Sequence, residues 1–139
     1  MIVTNKKILR QKSKKFNGSE EELYELLNEL ELELKNSKIP GVGLCAIQIG
    51  IPTQVSIIRY KNIKINLYNA EIIKQTDPFI YNKEGCISIP NVFKNTTRFS
   101  YIEIKNGDGK LLKLNAYDSI IAQHEIDHWH GILFTDRVI

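Results

Sequence analysis

The sequence predicts an α+β domain: an N-terminal amphipathic helix, antiparallel or mixed β-sheets, and a closing helix that carries a metal-binding pattern. Three observations carry this expectation. Leucines recur at helical spacing between Leu23 and Leu34. Runs rich in β-branched and aromatic residues fill the middle of the chain. The pattern His124-Glu125-Ile126-Asp127-His128 then lies on a second helical stripe. Helix, strands and helix in that order suit a terminal helix packed on sheets. A chain of 139 residues is expected to form one domain, 1–139.

Each element has a local reason. Ser19 is a natural N-cap, and Glu22 three residues on completes a capping box. Leu23, Leu26, Leu27, Leu30 and Leu34 follow on one face, and Pro40 is expected to end the helix. Strands are expected at 54–60, 63–68, 99–105 and 110–114, with Asn106-Gly107-Asp108-Gly109 turning the last pair into a hairpin. The closing helix, 116–131, places Tyr117, Ile120, Ile121, His124 and His128 along one stripe, with Gly131 as its stop.

Composition excludes several classes. The net charge is +3, and much of the excess sits in Lys6, Lys7, Arg10, Lys12, Lys14 and Lys15. Without aromatic interleaving or a nucleic-acid signature, that run suits a solvated surface better than a sequence-specific nucleic-acid site. No apolar stretch is long enough to span a membrane, and the N-terminus lacks the apolar core of a signal peptide. A cytoplasmic protein with reduced thiols is expected, so Cys45 and Cys86 suit a metal thiolate better than a disulfide.

The two histidines are four residues apart, so on a helix both imidazoles can reach one ion, with Glu125 beside them to handle a proton. A catalytic site of this kind takes a third protein ligand. Gly131 follows His128 as in the metzincin pattern, but Phe134 then stands where a histidine would bind. His130 points away from the ligand face, and Asp136 is the only carboxylate downstream. The third ligand is therefore expected upstream, where Cys45 and Cys86 are the soft candidates.

Two further segments stand out. Gly41-Val42-Gly43-Leu44-Cys45-Ala46-Ile47-Gln48 sets one polar side chain among glycines and small residues, and glycines permit close approach of a ligand. Glu84-Gly85-Cys86-Ile87-Ser88 places a cysteine after a glycine in a short extended run. Taken in order, G-x-G-L-x-A-x-Q, E-G-C-x-S and Q-H-E-x-D-H resemble the three signature motifs of the peptide deformylases.

That resemblance implies a metal-dependent hydrolase that removes the formyl group from the N-terminal formyl-methionine of new polypeptides and releases formate. It implies Cys86, His124 and His128 as metal ligands, and Glu125 as general acid and base. Gln48 and the backbone N–H of Ile87 would bind the developing oxyanion. It implies one divalent ion, Fe2+, for which Zn2+, Ni2+ or Co2+ can substitute. Ile120, Ile121 and Val42 are expected to form an apolar methionine pocket, and the Val42-Gly43-Leu44 segment to pair with the substrate backbone. The expected partners are formyl-methionyl nascent chains, met at the ribosome.

The chain departs from the family pattern in four places. Cys45 replaces an alanine, Ile87 replaces a leucine, and Asn69-Ala70 stands where Asn-Pro is common. The chain also ends at Ile139, before the further C-terminal helix of many bacterial members. In that it resembles short phage-encoded members, which would act in a host cytoplasm. A metallopeptidase acting on internal bonds and a basic binding module with structural histidines are the rival readings.

Overall fold

The computed structural model describes all residues, Met1–Ile139. The elements run α1 (Lys6–Leu9), α2 (Glu20–Lys35), β1 (Gly43–Cys45), a short 3-10 turn (Ala46–Ile49), β2 (Val55–Tyr60), β3 (Ile63–Tyr68), β4 (Glu71–Cys86), β5 (Ile89–Lys105), β6 (Leu111–Asn115), α3 (Ala116–Trp129) and a second 3-10 turn (Phe134–Arg137). Two three-stranded antiparallel sheets result, β1-β2-β3 and β4-β5-β6. The α+β expectation holds, and within the sheets no parallel pairing occurs.

Helix α2 starts as its sequence dictates. The Ser19 side chain accepts from the Glu22 N–H, and the Glu22 carboxylate accepts from the Ser19 N–H. It ends at Lys35 with Asn36 as C-cap, four residues before Pro40, so the proline is not what stops it. Leu26, Leu27 and Leu30 bury against Leu44, Val55 and Ile57 of the first sheet. Each such leucine contributes about 1.5–3 kcal/mol of apolar burial.

The other face of that sheet holds Cys45, Ile58 and Leu67, which pack with Ile121, Ala122, Ile126 and Trp129 of α3. Ile102, Ile104 and Leu114 of the second sheet join the same cluster. Strand β2 is thus covered on both faces, which is why Val55-Ser56-Ile57-Ile58 is nearly all apolar. Its one polar side chain, Ser56, accepts a hydrogen bond from the Trp129 indole at 2.8 Å. Helix α3 touches both sheets and is buried almost all round rather than along a single stripe.

Helix α3 ends in a Schellman motif. Ile132 N–H donates to Asp127 O, Gly131 N–H to His128 O, and Gly131 takes a φ of 73°. A side chain at Gly131 would run into the Arg10 carbonyl, so glycine also lets α1 lie against this corner. The hairpin β4–β5 is the largest departure from expectation. Its strands span 16 and 17 residues, of which the sequence suggested only 99–105 as a strand and 84–88 as a short extended run. The turn at its tip is Ile87-Ser88, with Cys86 paired to Ile89.

Candidate metal centre and active-site cleft

The hairpin tip brings Cys86 to α3. Cys86, His124 and His128 each offer a ligand atom, and these atoms all lie within 4.8 Å of one another. The His128 Nε2 is 3.6 Å from the Cys86 sulfur. Of the two cysteines left open by the ligand count, Cys86 is therefore the one beside the histidines. Cys45 lies fully buried in the core cluster with Trp129.

A buried charge network orients the first histidine. His124 Nδ1 lies 2.7 Å from Glu84 Oε2, an arrangement in which Nδ1–H donates and Nε2 is left for a ligand bond. Glu84 also accepts from Arg98 Nε at 2.9 Å, Arg98 Nη2 at 2.6 Å and Thr96 Oγ1 at 2.7 Å. Arg98 donates onward to Asp127 at 2.7 Å, and Asp127 accepts from Arg137 at 2.9 Å. Burial would raise the Glu84 carboxyl, but the hydrogen bonds from Arg98 and His124 prevail and hold it far below the usual carboxylate range.

Glu125 is 3% exposed, and its Oε1 has no hydrogen-bond partner. Burial pushes this carboxyl up to about 7, a value suited to taking and returning a proton. It sits against Gly43, where an added Cβ would lie 2.6 Å from Glu125 Oε2. The glycine is thus the close approach that the sequence suggested, though the group it admits is the protein's own carboxylate. His128 Nδ1 is the other partnerless buried atom here, and burial with the neighbouring His124 depresses its basicity.

Gln48 is aimed by its surroundings. Its Oε1 accepts from the Cys45 N–H at 2.9 Å, which fixes the amide orientation. Its Nε2 then donates to Ser88 Oγ at 3.0 Å and lies 3.5 Å from the Cys86 sulfur. The Ile87 N–H enters none of the turn and loop hydrogen bonds of the backbone, so it is a free donor at the hairpin turn.

These groups line a cleft of about 430 Å³. Val42 and Gly43 at the start of β1, Cys86 and Ile87 from the hairpin, and Ile120, Ile121, His124 and Glu125 from α3 are among its lining residues. The Leu44 side chain turns away from this cleft. It is fully buried among the α2 leucines and does not line the cleft. In an extended strand neighbouring side chains alternate in direction, so with Gly43 at the cleft Leu44 points into the core. The edge of β1 opposite β2 carries no strand.

The donor set fits a divalent ion. Two imidazoles and a thiolate converge beside a partnerless buried carboxylate, and nitrogen and sulfur ligands of this kind suit iron, zinc, nickel or cobalt. Sequence reasoning gave no role to Arg98, Thr96 or Ser88. A signal for the first was present: Asp127 lies between two inward-facing histidines on α3, and a buried carboxylate needs a cation.

Residues 1–139 match the family described as Polypeptide deformylase over their whole length. The chain belongs to the peptide deformylase family. A peptide deformylase of Agrobacterium fabrum is 32% identical over 148 residues, covering 99% of this chain and 85% of that protein. The solved peptide deformylase of Thermotoga maritima superposes with a TM-score of 0.88 at 28% identity, covering 100% of this chain and 97% of that one. A probable peptide deformylase from Synechococcus phage S-SSM7 gives 0.85 at 31%, covering 99% and 98%. The chain is thus a deformylase by family and fold, an enzyme that removes the N-formyl group from new polypeptides. No helix is long and apolar enough to cross a membrane.

Proposed function

We propose that residues 1–139 form one catalytic domain that deformylates N-terminal formyl-methionine in the cytoplasm, on chains emerging from the ribosome. The convergence of Cys86, His124 and His128 beside the partnerless carboxylate of Glu125 carries this reading. In it, Cys86, His124 and His128 hold one divalent ion, with Fe2+ as the physiological metal and Zn2+, Ni2+ or Co2+ as substitutes. Such an ion supplies Lewis acidity, which makes water a competent nucleophile near neutral pH.

The chain's own residues do the rest. Glu125 takes a proton from the attacking water and returns it to the leaving amine nitrogen. Gln48 Nε2 and the Ile87 N–H donate to the formyl oxygen as it becomes an oxyanion. Gln48 can do this by releasing its long contact to the Cys86 sulfur while keeping Ser88. Ile120, Ile121 and Val42 enclose the methionine side chain, and the open edge of β1 at Gly43 pairs with the substrate backbone. Formate release from formyl-methionyl-alanine, measured with and without a chelator, tests the proposal. We expect release that the chelator stops. Hydrolysis of internal peptide bonds without formate release would favour a metallopeptidase instead.

A further inference from the structure

The segment after α3, residues 133–139, touches both elements that carry the metal ligands, α3 and the β4–β5 hairpin. The Phe134 ring lies at 21° to the His124 imidazole, with centroids 6.2 Å apart. Phe134 stands where the metzincin pattern would put a ligand, and it is buried with Leu9, Ile89 and Leu133 instead. Asp136 accepts from Arg10 Nη2 at 2.9 Å and from the Leu133 N–H at 3.0 Å. Val138 pairs with Thr96 of β5, and the Ile139 N–H donates to Asn95 O at 3.3 Å. Arg137 is thus held between two anchored neighbours.

Its side chain meets Asp127 of α3. Nη2 donates to Asp127 Oδ1 at 2.9 Å, and Nε to Oδ2 at 3.3 Å. Oδ2 has a shorter bond from Arg98 Nη1, at 2.7 Å, whereas Oδ1 has Arg137 alone. Arg98 grips Glu84 with its other two nitrogens, and Glu84 holds His124 Nδ1. Cation and anion therefore alternate from Arg137 to the histidine. The Arg98 and Glu84 side chains are 3% and 4% exposed, and that of Arg137, at 42%, is the end in water.

Arg98 is shared between two carboxylates, so what Asp127 lacks it draws from Arg98. Without Arg137, Asp127 Oδ1 is left without a donor on a largely buried charge, which is costly. The nearest donor is the Arg98 guanidinium, and movement of that group towards Asp127 loosens its two bonds to Glu84. Glu84 then fixes the His124 ring less firmly, and a ligand ring held loosely binds metal less well.

We propose that Arg137 is a positioning residue of the metal centre, acting through Asp127, Arg98 and Glu84 on the orientation of His124. This rests on His124 being a metal ligand. The test is Zn2+ affinity by chelator competition, read beside the melting temperature of the metal-free protein. Arg137→Met should weaken Zn2+ binding about three- to tenfold, less than the roughly 10–100-fold typical of a ligand's direct hydrogen-bond partner. Arg137→Lys should recover part of the loss, because it returns a charge and a donor. It also carries the comparison should the methionine variant fail to fold. The double variant decides the route. If Arg137 acts through Glu84, adding Arg137→Met to Glu84→Gln should cost little further affinity. Unchanged affinity in the Arg137 variants, even with a lower melting temperature, would overturn the proposal while leaving the ligand set intact. The same fold-loss with and without Glu84→Gln would overturn it too. A wild type that binds no Zn2+ would instead defeat the ligand assignment, and the proposal with it.

Discussion

The two cysteines are the same side chain in two environments, and the contrast shows what makes a ligand. Cys45 sits on β1 with no exposure, in the core cluster with Ile58 and Trp129. Burial, and the nearby charge of Glu125, push its thiol up to about 12, so it stays protonated and packs as a small hydrophobe. Cys86 sits at a hairpin turn, partly exposed to the cleft, 3.6 Å from His128. The thiolate is the form that binds metal, and only the second position gives it partners. Proximity to the signature motifs in sequence does not separate the two. The strand they stand on does.

If the site is set by environment, changing the groups around Cys86 should break function in a graded way. The largest effect expected without metal loss is that of Glu125→Gln. It should retain metal yet lose roughly 10²–10⁴ in kcat, because an amide cannot cycle a proton. Metal analysis alongside kcat separates this from collapse of the site. Near-normal turnover would remove Glu125 from the chemistry.

Gln48→Leu should cost about 10²–10³ in kcat with metal intact, as expected for one oxyanion donor. A purely structural role for Gln48 would show instead as a lower melting temperature with an unchanged rate.

Glu84→Gln should weaken metal affinity about 10–100-fold, since His124 loses the carboxylate that orients it. The same change sharpens the pH argument. The Glu84 carboxyl is depressed in the folded state, so the stability it contributes is present above its unfolded value near pH 4 and is lost as pH falls below that. Acid titration of the melting temperature should therefore be shallower in Glu84→Gln than in wild type. Identical acid limbs would take Glu84 out of the account.

The smallest effect concerns the pocket. Formyl-methionine should be preferred over formyl-alanine by about 1–3 kcal/mol in kcat/KM, and Ile121→Asp should reduce that preference. An unchanged ranking in the variant would place the methionine side chain elsewhere.

Much of this was legible in the sequence, for physical reasons. Helix α2 announced itself through Ser19, Glu22 and the leucine stripe, and α3 through its ligand pair and Gly131. Strands β2, β3 and β6 matched to within a residue at each end. The long hairpin was not legible. Strand β4 is exposed along most of its length, so it has no alternating apolar face. Asp77, Lys83 and Asn91 take positive φ, and Pro78 interrupts the run, which imitates loop composition. The motif around Leu44 marks β1 as near the cleft without saying which of its side chains face it. The Glu84–Arg98–Asp127 network joins three elements, and spacing within one segment carries no record of it.

Metal content of the two cysteine variants, purified in parallel and confirmed folded by melting, tests the contrast most directly. Cys45→Ala should retain one metal ion per chain and its activity, at a stability cost of about 1 kcal/mol. Cys86→Ala should lose both metal and formate release while still melting cooperatively. Metal retained in Cys86→Ala and lost in Cys45→Ala would contradict the assignment.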